Sequence, residues 1–492
     1  MIWQKLFLDF YCQESHDLRN TVYVIIDGLD EALEEERRNF LELLKVFQDG
    51  SSGGTKLRVQ IVLIGRPDLN QVVSDILGDD VPTITISAEN NSADIIEYVR
   101  TSVAKIKILR KVPKELRAEV VSALTNGADG MFLWVDLMLQ EIATKTHQNR
   151  IREALKSAPK GLKDTIRHVL ERFSQDLEQD GIDDLNELLT WVTCAQRPLT
   201  LGELDDVMKI KSKDGTGIID LEGQLRNRFA SFFSVNREDG LSTNDLQKSL
   251  MRYFVDNENE NIEGEAGRDD STEDELDAEM EIQSDLLTTE VTLAHASIGD
   301  YLRDETETKK TAVGIDINQS HIYITVTLMS LISDQSLFEK WKETEFMSYA
   351  CNHWQDHLRS IKIDAVDKTT KATITAYLLN MIRDATMASR WMSKQWTLEK
   401  TWFNHDRNRS RLRDWLKNAQ ADIPDKISEV DLEWIRSLYP TTHADVMDLA
   451  AEIVAKEWLR SYSWDRAMMY RCLRAHTHSV SSVQRLFPNP KC

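Results

Sequence analysis

Val22-Tyr-Val-Ile-Ile-Asp27-Gly-Leu-Asp30-Glu31 is the stretch of this chain whose residue types could do chemistry. An apolar, β-branched run ends in an acid, a small residue follows, and two more acids come soon after. Ligands of open parallel sheets sit at the carboxyl ends of the strands, so these carboxylates would face such a crevice. An acid there is placed to hold Mg²⁺, and a neighbouring acid can orient an attacking water, as in phosphoryl-transfer sites. Acids also favour the positive end of a following helix dipole. The length of the run nevertheless favours the nucleotide reading. Asp27 is the candidate metal ligand, and Asp30 and Glu31 are the candidate catalytic acids.

Other constellations are weaker. His353 and His357 are four apart and share a helix face, which is metal-ligand spacing. No Glu stands in an HExxH context and no third ligand is evident, so packing is the favoured reading. No Ser-His-Asp or Cys-His pattern stands out. The five Cys (12, 194, 351, 472 and 492) are scattered and make no disulfide framework. They point to a reducing compartment, and a cytoplasmic chain is expected.

The acidic run needs elements to position it. Val22–Ile26 has the short continuous apolar pattern of a strand buried on both faces, and Arg58–Ile64 repeats it. Between them, Glu31–Phe47 carries Leu33, Phe40, Leu43, Leu44 and Phe47 at helical spacing, closed by the loop Gly50–Gly54. Thr83–Ser87 reads as a third strand. Strand, helix, strand at this spacing implies a parallel α/β sheet.

From Ser92 the pattern turns helical: a helix through Val103, then 113–125, 129–146 and a pair within 150–175. Residues 183–210 read as helix, turn, helix, broken at Arg197-Pro198. Phe229–Val235 and Glu290–Leu293 read as short strands. Beyond Asp316 the pattern is wholly helical and holds nine of the 12 Trp. Their irregular spacing gives no clean repeat and suits aromatic knobs between packed helices.

Composition bounds the rest. A chain of 492 residues suggests three or four domains, and 41% hydrophobic content is enough for several cores. The formal charge of −22 argues against non-specific nucleic-acid binding. Much of that charge is local. Asp256–Asp285 holds 14 acids against one base, Arg268, and reads as a solvated, disordered insertion. The start of the chain lacks signal-peptide character. The weakly polar run Ile322–Ile332 is too short to span a bilayer.

Val-Ile-Ile-Asp27-Gly-Leu-Asp30-Glu31-Ala resembles the Walker B motif of NACHT-type STAND NTPases, especially the fungal incompatibility and nephrocystin-type class. Other elements follow in that family's order. Ile61-Val-Leu-Ile-Gly-Arg66-Pro-Asp-Leu is similar to its sensor-1 strand and loop, where the residue before the Arg is more often Ser than Gly. Asp94-Ile-Ile-Glu-Tyr-Val and Ala128-Asp-Gly-Met-Phe-Leu-Trp134-Val resemble its helical domain. Leu188-Leu-Thr-Trp191 with Arg197-Pro-Leu-Thr-Leu-Gly-Glu-Leu204 resembles the start of its winged helix. Val291-Thr-Leu-Ala-His295-Ala-Ser-Ile-Gly-Asp-Tyr301-Leu resembles the later winged-helix segment. Phe346-Met-Ser-Tyr-Ala-Cys-Asn-His-Trp354 is similar to a motif common downstream in the fungal class.

The resemblance implies an α/β core over residues 1–88, a helical domain over 89–180, a winged helix over 181–310 and a helical region over 311–492. It implies Mg²⁺ and ATP or ADP as ligands, with Asp27 on Mg²⁺, Arg66 on the γ-phosphate and His295 on the ADP β-phosphate. It also implies a signalling switch that oligomerises when nucleotide exchange opens it, with protein partners or copies of itself, no nucleic acid and no membrane span. One departure cuts across this. No Gly-x-x-x-x-Gly-Lys-Ser/Thr occurs anywhere in the chain, and Gly53-Gly-Thr-Lys56 lacks the spacing. The resemblance therefore implies a truncated member with weak or absent nucleotide binding. The alternative is a non-catalytic helical interaction protein.

Overall fold

The computed structural model describes residues 22–32, 34–50, 59–67, 69–78, 80–212, 215–237, 284–304, 311–383, 387, 390–391 and 406–437. The loop after Gly50, most of the acidic insertion (256–283), and Trp396, Trp402, Trp458 and Trp464 lie outside them. The chain divides into two compact units, residues 1–135 and 136–492. Among the described residues the chain is mostly helical, with two small sheets.

In the first unit, β1 (Val22–Asp27) and β2 (Val59–Ile64) pair in parallel, in register from Val22↔Val59 to Asp27↔Ile64. Parallel neighbours need a crossover, and α1 (Glu34–Gly50) supplies it. Helix α2 (Leu69–Leu77) follows β2. One face of the sheet packs Ile26 and Leu63 against Leu41 and Leu44 of α1 and Leu69 and Ile76 of α2. The other face, with Tyr23, Ile25, Val62 and Ile64, is exposed, unusual for a parallel sheet.

The third strand expected at Thr83–Ser87 does not form. No described strand lies beside this segment to complete a ladder, and Ile84 and Ile86 are 91% and 75% exposed. Helix α3 (Ala88–Lys105) starts a turn earlier than the apolar pattern suggests. The Ser87 N–H donates to Asn90 Oδ1 at 2.7 Å, so one of the orphan donors of the helix start is satisfied there. After the short α4 (Lys107–Arg110), α5 (Lys114–Gly127) packs against α3.

The turn from α5 into α6 (Phe132–Ala143) uses two left-handed residues, Asp129 (φ 46°) and Gly130 (φ 78°). At Gly130 a side chain is excluded twice over, because a Cβ would lie 2.7 Å from the Ala88 Cα. The amide of Asn91 donates to the Gly130 carbonyl at 2.8 Å.

In the second unit, α7 (Gln148–Lys156), α8 (Leu162–Asp176) and α9 (Gln179–Cys194) lead into β3 (Leu199–Thr200) and α10 (Leu201–Lys211). A short α11 (Leu221–Gly223) continues as a π turn to Arg228 and is followed by β4 (Phe233–Asn236). β5 (Glu290–Leu293) pairs antiparallel with β3 on one side and β4 on the other. The strand anticipated from Phe229 starts at Phe233, because the preceding residues remain in helical turns.

Then come α12 (Ala296–Arg303), α13 (Ile317–Ser333), α14 (Gln335–Trp341), α15 (Glu345–Ser360), α16 (Lys368–Arg383), α17 (Asp406–Asp422) and α18 (Glu429–Ser437). Trp341, Trp354, Trp391 and Trp415 are buried between these helices, as knobs should be. Two of the buried indoles donate to fixed acceptors, Trp391 to the Cys351 carbonyl and Trp415 to Thr375 Oγ1.

Candidate functional site

The strand ends of the first unit carry four of the residues read from sequence. Asp27 is the last residue of β1 and is exposed, on the same open face as Tyr23 and Ile25. Gly28 follows with φ 71°, a left-handed position that suits glycine. This bend turns the chain into a single 3₁₀ turn, Leu29–Glu31, so that Leu29 drops into the core while Asp30 stays beside the end of β2. Glu31 closes that turn.

Arg66 lies two residues beyond β2. Its Nε is 3.1 Å from Asp30 Oδ2, and the Asp30 side chain is only 5% exposed while that of Arg66 is 41% exposed. The acid and the base that sequence reasoning assigned separate roles therefore hold each other. Gly65 is packed against this pair. A Cβ built there would lie 2.8 Å from Asp30 Oδ1 and 2.7 Å from Leu69 Cδ2. In the sequence Gly65 stands out only as a departure from a motif; nothing local shows that its backbone touches Asp30.

An exposed carboxylate at the carboxyl end of a parallel strand suits Mg²⁺, which takes one or two protein carboxylates and fills its remaining positions with water and phosphate oxygens. Asp27 fits that part. Asp30 is already engaged by a guanidinium. Among the described residues no group of three or more His, Cys, Asp or Glu forms a metal cage.

His295 belongs to the second unit, at the N-cap of α12. Its Nδ1 accepts from the Ser297 N–H at 3.1 Å. The neutral ring thus carries its proton on Nε2, and the residue is exposed. His353 and His357 do not form a metal pair. His357 is fully buried, with Nε2 2.8 Å from the Tyr349 hydroxyl and Nδ1 3.1 Å from His321 Nδ1. His353 Nδ1 instead faces Asp356 at 3.2 Å. Burial holds His357 well below the usual imidazole range, helped by His321 and His353. Burial, then the nearby Arg303, pushes His321 down to about 4. These are neutral core histidines.

The motif Arg197–Leu204 builds a brace. Thr200 caps α10 by accepting from the Glu203 N–H at 3.2 Å, and Glu203 accepts from the Thr200 N–H at 3.0 Å. Arg197 grips the same carboxylate through both terminal nitrogens, at 2.6 and 2.8 Å, with Glu203 almost fully buried. The Arg197 guanidinium also lies 5.3 Å from the centre of the Tyr349 ring.

Over 191 residues, 38% of this chain, the sequence is 22% identical to the "Vegetative incompatibility protein HET-E-1" of Podospora anserina. The match covers 13% of that protein's length. No protein-family profile matches the chain, and no solved structure matches it. No described helix is long and apolar enough to cross a membrane.

Proposed function

We propose that this chain is part of a nucleotide-dependent signalling switch of the STAND kind, with the β1 and β2 ends as its metal-and-phosphate side. The observation that carries the reading is the exposed carboxylate of Asp27 at the end of a parallel strand, with a guanidinium, Arg66, at the end of the neighbouring one. The similarity to a fungal vegetative incompatibility protein supports a signalling role.

Bound Mg²⁺ would neutralise phosphate charge there. Asp27 would ligate it, and Arg66 would meet a phosphate oxygen. Glu31, with Asp30 once freed from Arg66, would orient water. His295 presents an exposed Nε2–H at a helix start, a donor suited to an anionic oxygen. Protein partners, including further copies of the chain, are the readout of such a switch.

The 492 residues contain no glycine-rich phosphate loop with its Lys, so nucleotide binding is expected to be weak and Mg²⁺-dependent. Isothermal titration with millimolar Mg-ATP and Mg-ADP tests this. The expected result is Mg²⁺-dependent binding that Asp27→Asn abolishes. Binding indifferent to Mg²⁺ or to Asp27→Asn removes Asp27 from the site.

A further inference from the structure

Arg66 has a built-in counter-ion, and the reason it can have one is a missing side chain. Asp30 sits 36 positions before Arg66, yet the β1–β2 register brings the two strand ends level, Asp27 opposite Ile64. From there the Gly28 bend and the 3₁₀ turn carry Asp30 back against the residue that follows β2. That residue is Gly65. Its bare Cα lets the Asp30 carboxylate lie against the backbone, nearly shielded from solvent, with Oδ2 on the Arg66 Nε.

Any Cβ at position 65 would crowd Asp30 Oδ1 and Leu69 Cδ2, both under 3.0 Å. Leu69 is a buried core residue and cannot easily yield. Of the two, Asp30 is held by a partly exposed guanidinium and Leu69 by the apolar core cluster, so the carboxylate is the group to move.

We propose that Gly65 is a positioning residue that sets the state of Arg66. With Gly65, the guanidinium is held by Asp30; with a side chain there, Asp30 is displaced and its hold on Arg66 is lost. A phosphate ligand must then compete with Asp30 for Arg66, which makes the pair an internal brake on anion binding. This last step rests on the reading of the strand ends as a phosphate site; the role of Gly65 does not.

The experiment follows modification of Arg66 by phenylglyoxal in the full chain, mapped by mass spectrometry, for the wild type, Gly65→Ala, Gly65→Ser and Asp30→Asn. An ion pair of this exposure is worth roughly a threefold effect, so Arg66 should react about three times faster in all three variants. Circular dichroism melting checks that each is folded. Should Gly65→Ser fail to fold, Gly65→Ala and Asp30→Asn carry the test. Folded Gly65 variants that react as slowly as the wild type, while Asp30→Asn reacts faster, overturn the role of Gly65. An unchanged rate in Asp30→Asn overturns the pair itself as the restraint.

Magnesium pyrophosphate is then added as the anion probe. Stronger protection of Arg66 in Gly65→Ser than in the wild type is expected. Faster modification in the variants with no protection at any pyrophosphate concentration leaves the Gly65 role standing and overturns the phosphate reading.

Discussion

Glu203 shows how much a single residue of the Arg197–Leu204 motif carries. Its carboxylate is almost wholly buried and accepts from two Arg197 nitrogens and the Thr200 amide. Removing Arg197 would leave that buried carboxylate without its counter-ion, and the cost is that of an orphaned ion rather than of one lost bond. Arg197→Ala should therefore destabilise the second unit by about 3 kcal/mol, read from urea unfolding followed by tryptophan fluorescence. A change within a few tenths of a kcal/mol would mean that water replaces the guanidinium. Arg197→Lys is the informative companion: a point charge cannot grip both oxygens, so part of the loss should remain. Asp27 and Asp30 make the contrasting case. The two acids stand three apart in one motif, but Asp27 faces solvent while Asp30 is sheltered under a guanidinium. Their types were legible in the sequence; their division of labour depends on a contact made across the sheet.

At the scale of elements, the turn at Ala128–Gly130 fixes how α5 hands over to α6. Gly130 needs a positive φ and close approach of the Ala88 backbone, two demands that only glycine meets. Gly130→Ala should cost about 2 kcal/mol, since strain at the left-handed position adds to the clash. Thermal unfolding measures it, with Gly78→Ala as a control: φ is also positive there, but nothing lies within 4 Å of a Cβ. Equal losses at the two sites would assign the effect to φ alone. This turn lies in a segment picked out by its Ala-Asp-Gly-Met-Phe-Leu-Trp pattern, and the pattern has a physical content the sequence conceals. Strands β1, β2 and β5 were legible because β-branched runs announce themselves. Thr83–Ser87 carries the same alternation and forms no ladder, because a strand exists only with a neighbour. The two-residue β3 gave no signal at all, being defined by its pairing with β5.

For the whole molecule, acid is the sharpest probe. His321 and His357 are held neutral in the core of the second unit, linked through their Nδ1 atoms and through Tyr349 to the Gln196 amide. Both titrate well below an unfolded imidazole, His321 at about 4. Above pH 6.5 neither state binds the protons, so these groups add no pH dependence. As pH falls below 6.5 the unfolded chain takes up protons that the folded chain refuses, and stability drops. The slope is about 1.4 kcal/mol per pH unit for each histidine. Asp206 acts the other way. Burial raises it to about 6, so the folded state binds its proton first and gains stability as pH falls between about 6 and the ordinary carboxylate range. Glu187, also raised by burial, opposes the histidines in the same sense. The bulk pH profile therefore mixes opposing contributions and tests nothing by itself. A difference does. His357→Gln keeps an amide that can accept from Tyr349 and donate to His321, but it cannot be protonated. The stability advantage of the wild type over His357→Gln should shrink by about 1.4 kcal/mol per pH unit below pH 6.5. The measurement is urea unfolding at pH 7.5, 6.5, 5.8 and 5.5. It stays above pH 5.0, where the chain reaches its isoelectric point and association would mask unfolding. Parallel curves for the two proteins would mean that His357 is already hydrated in solution, and that the buried histidine link does not hold α13 to α15.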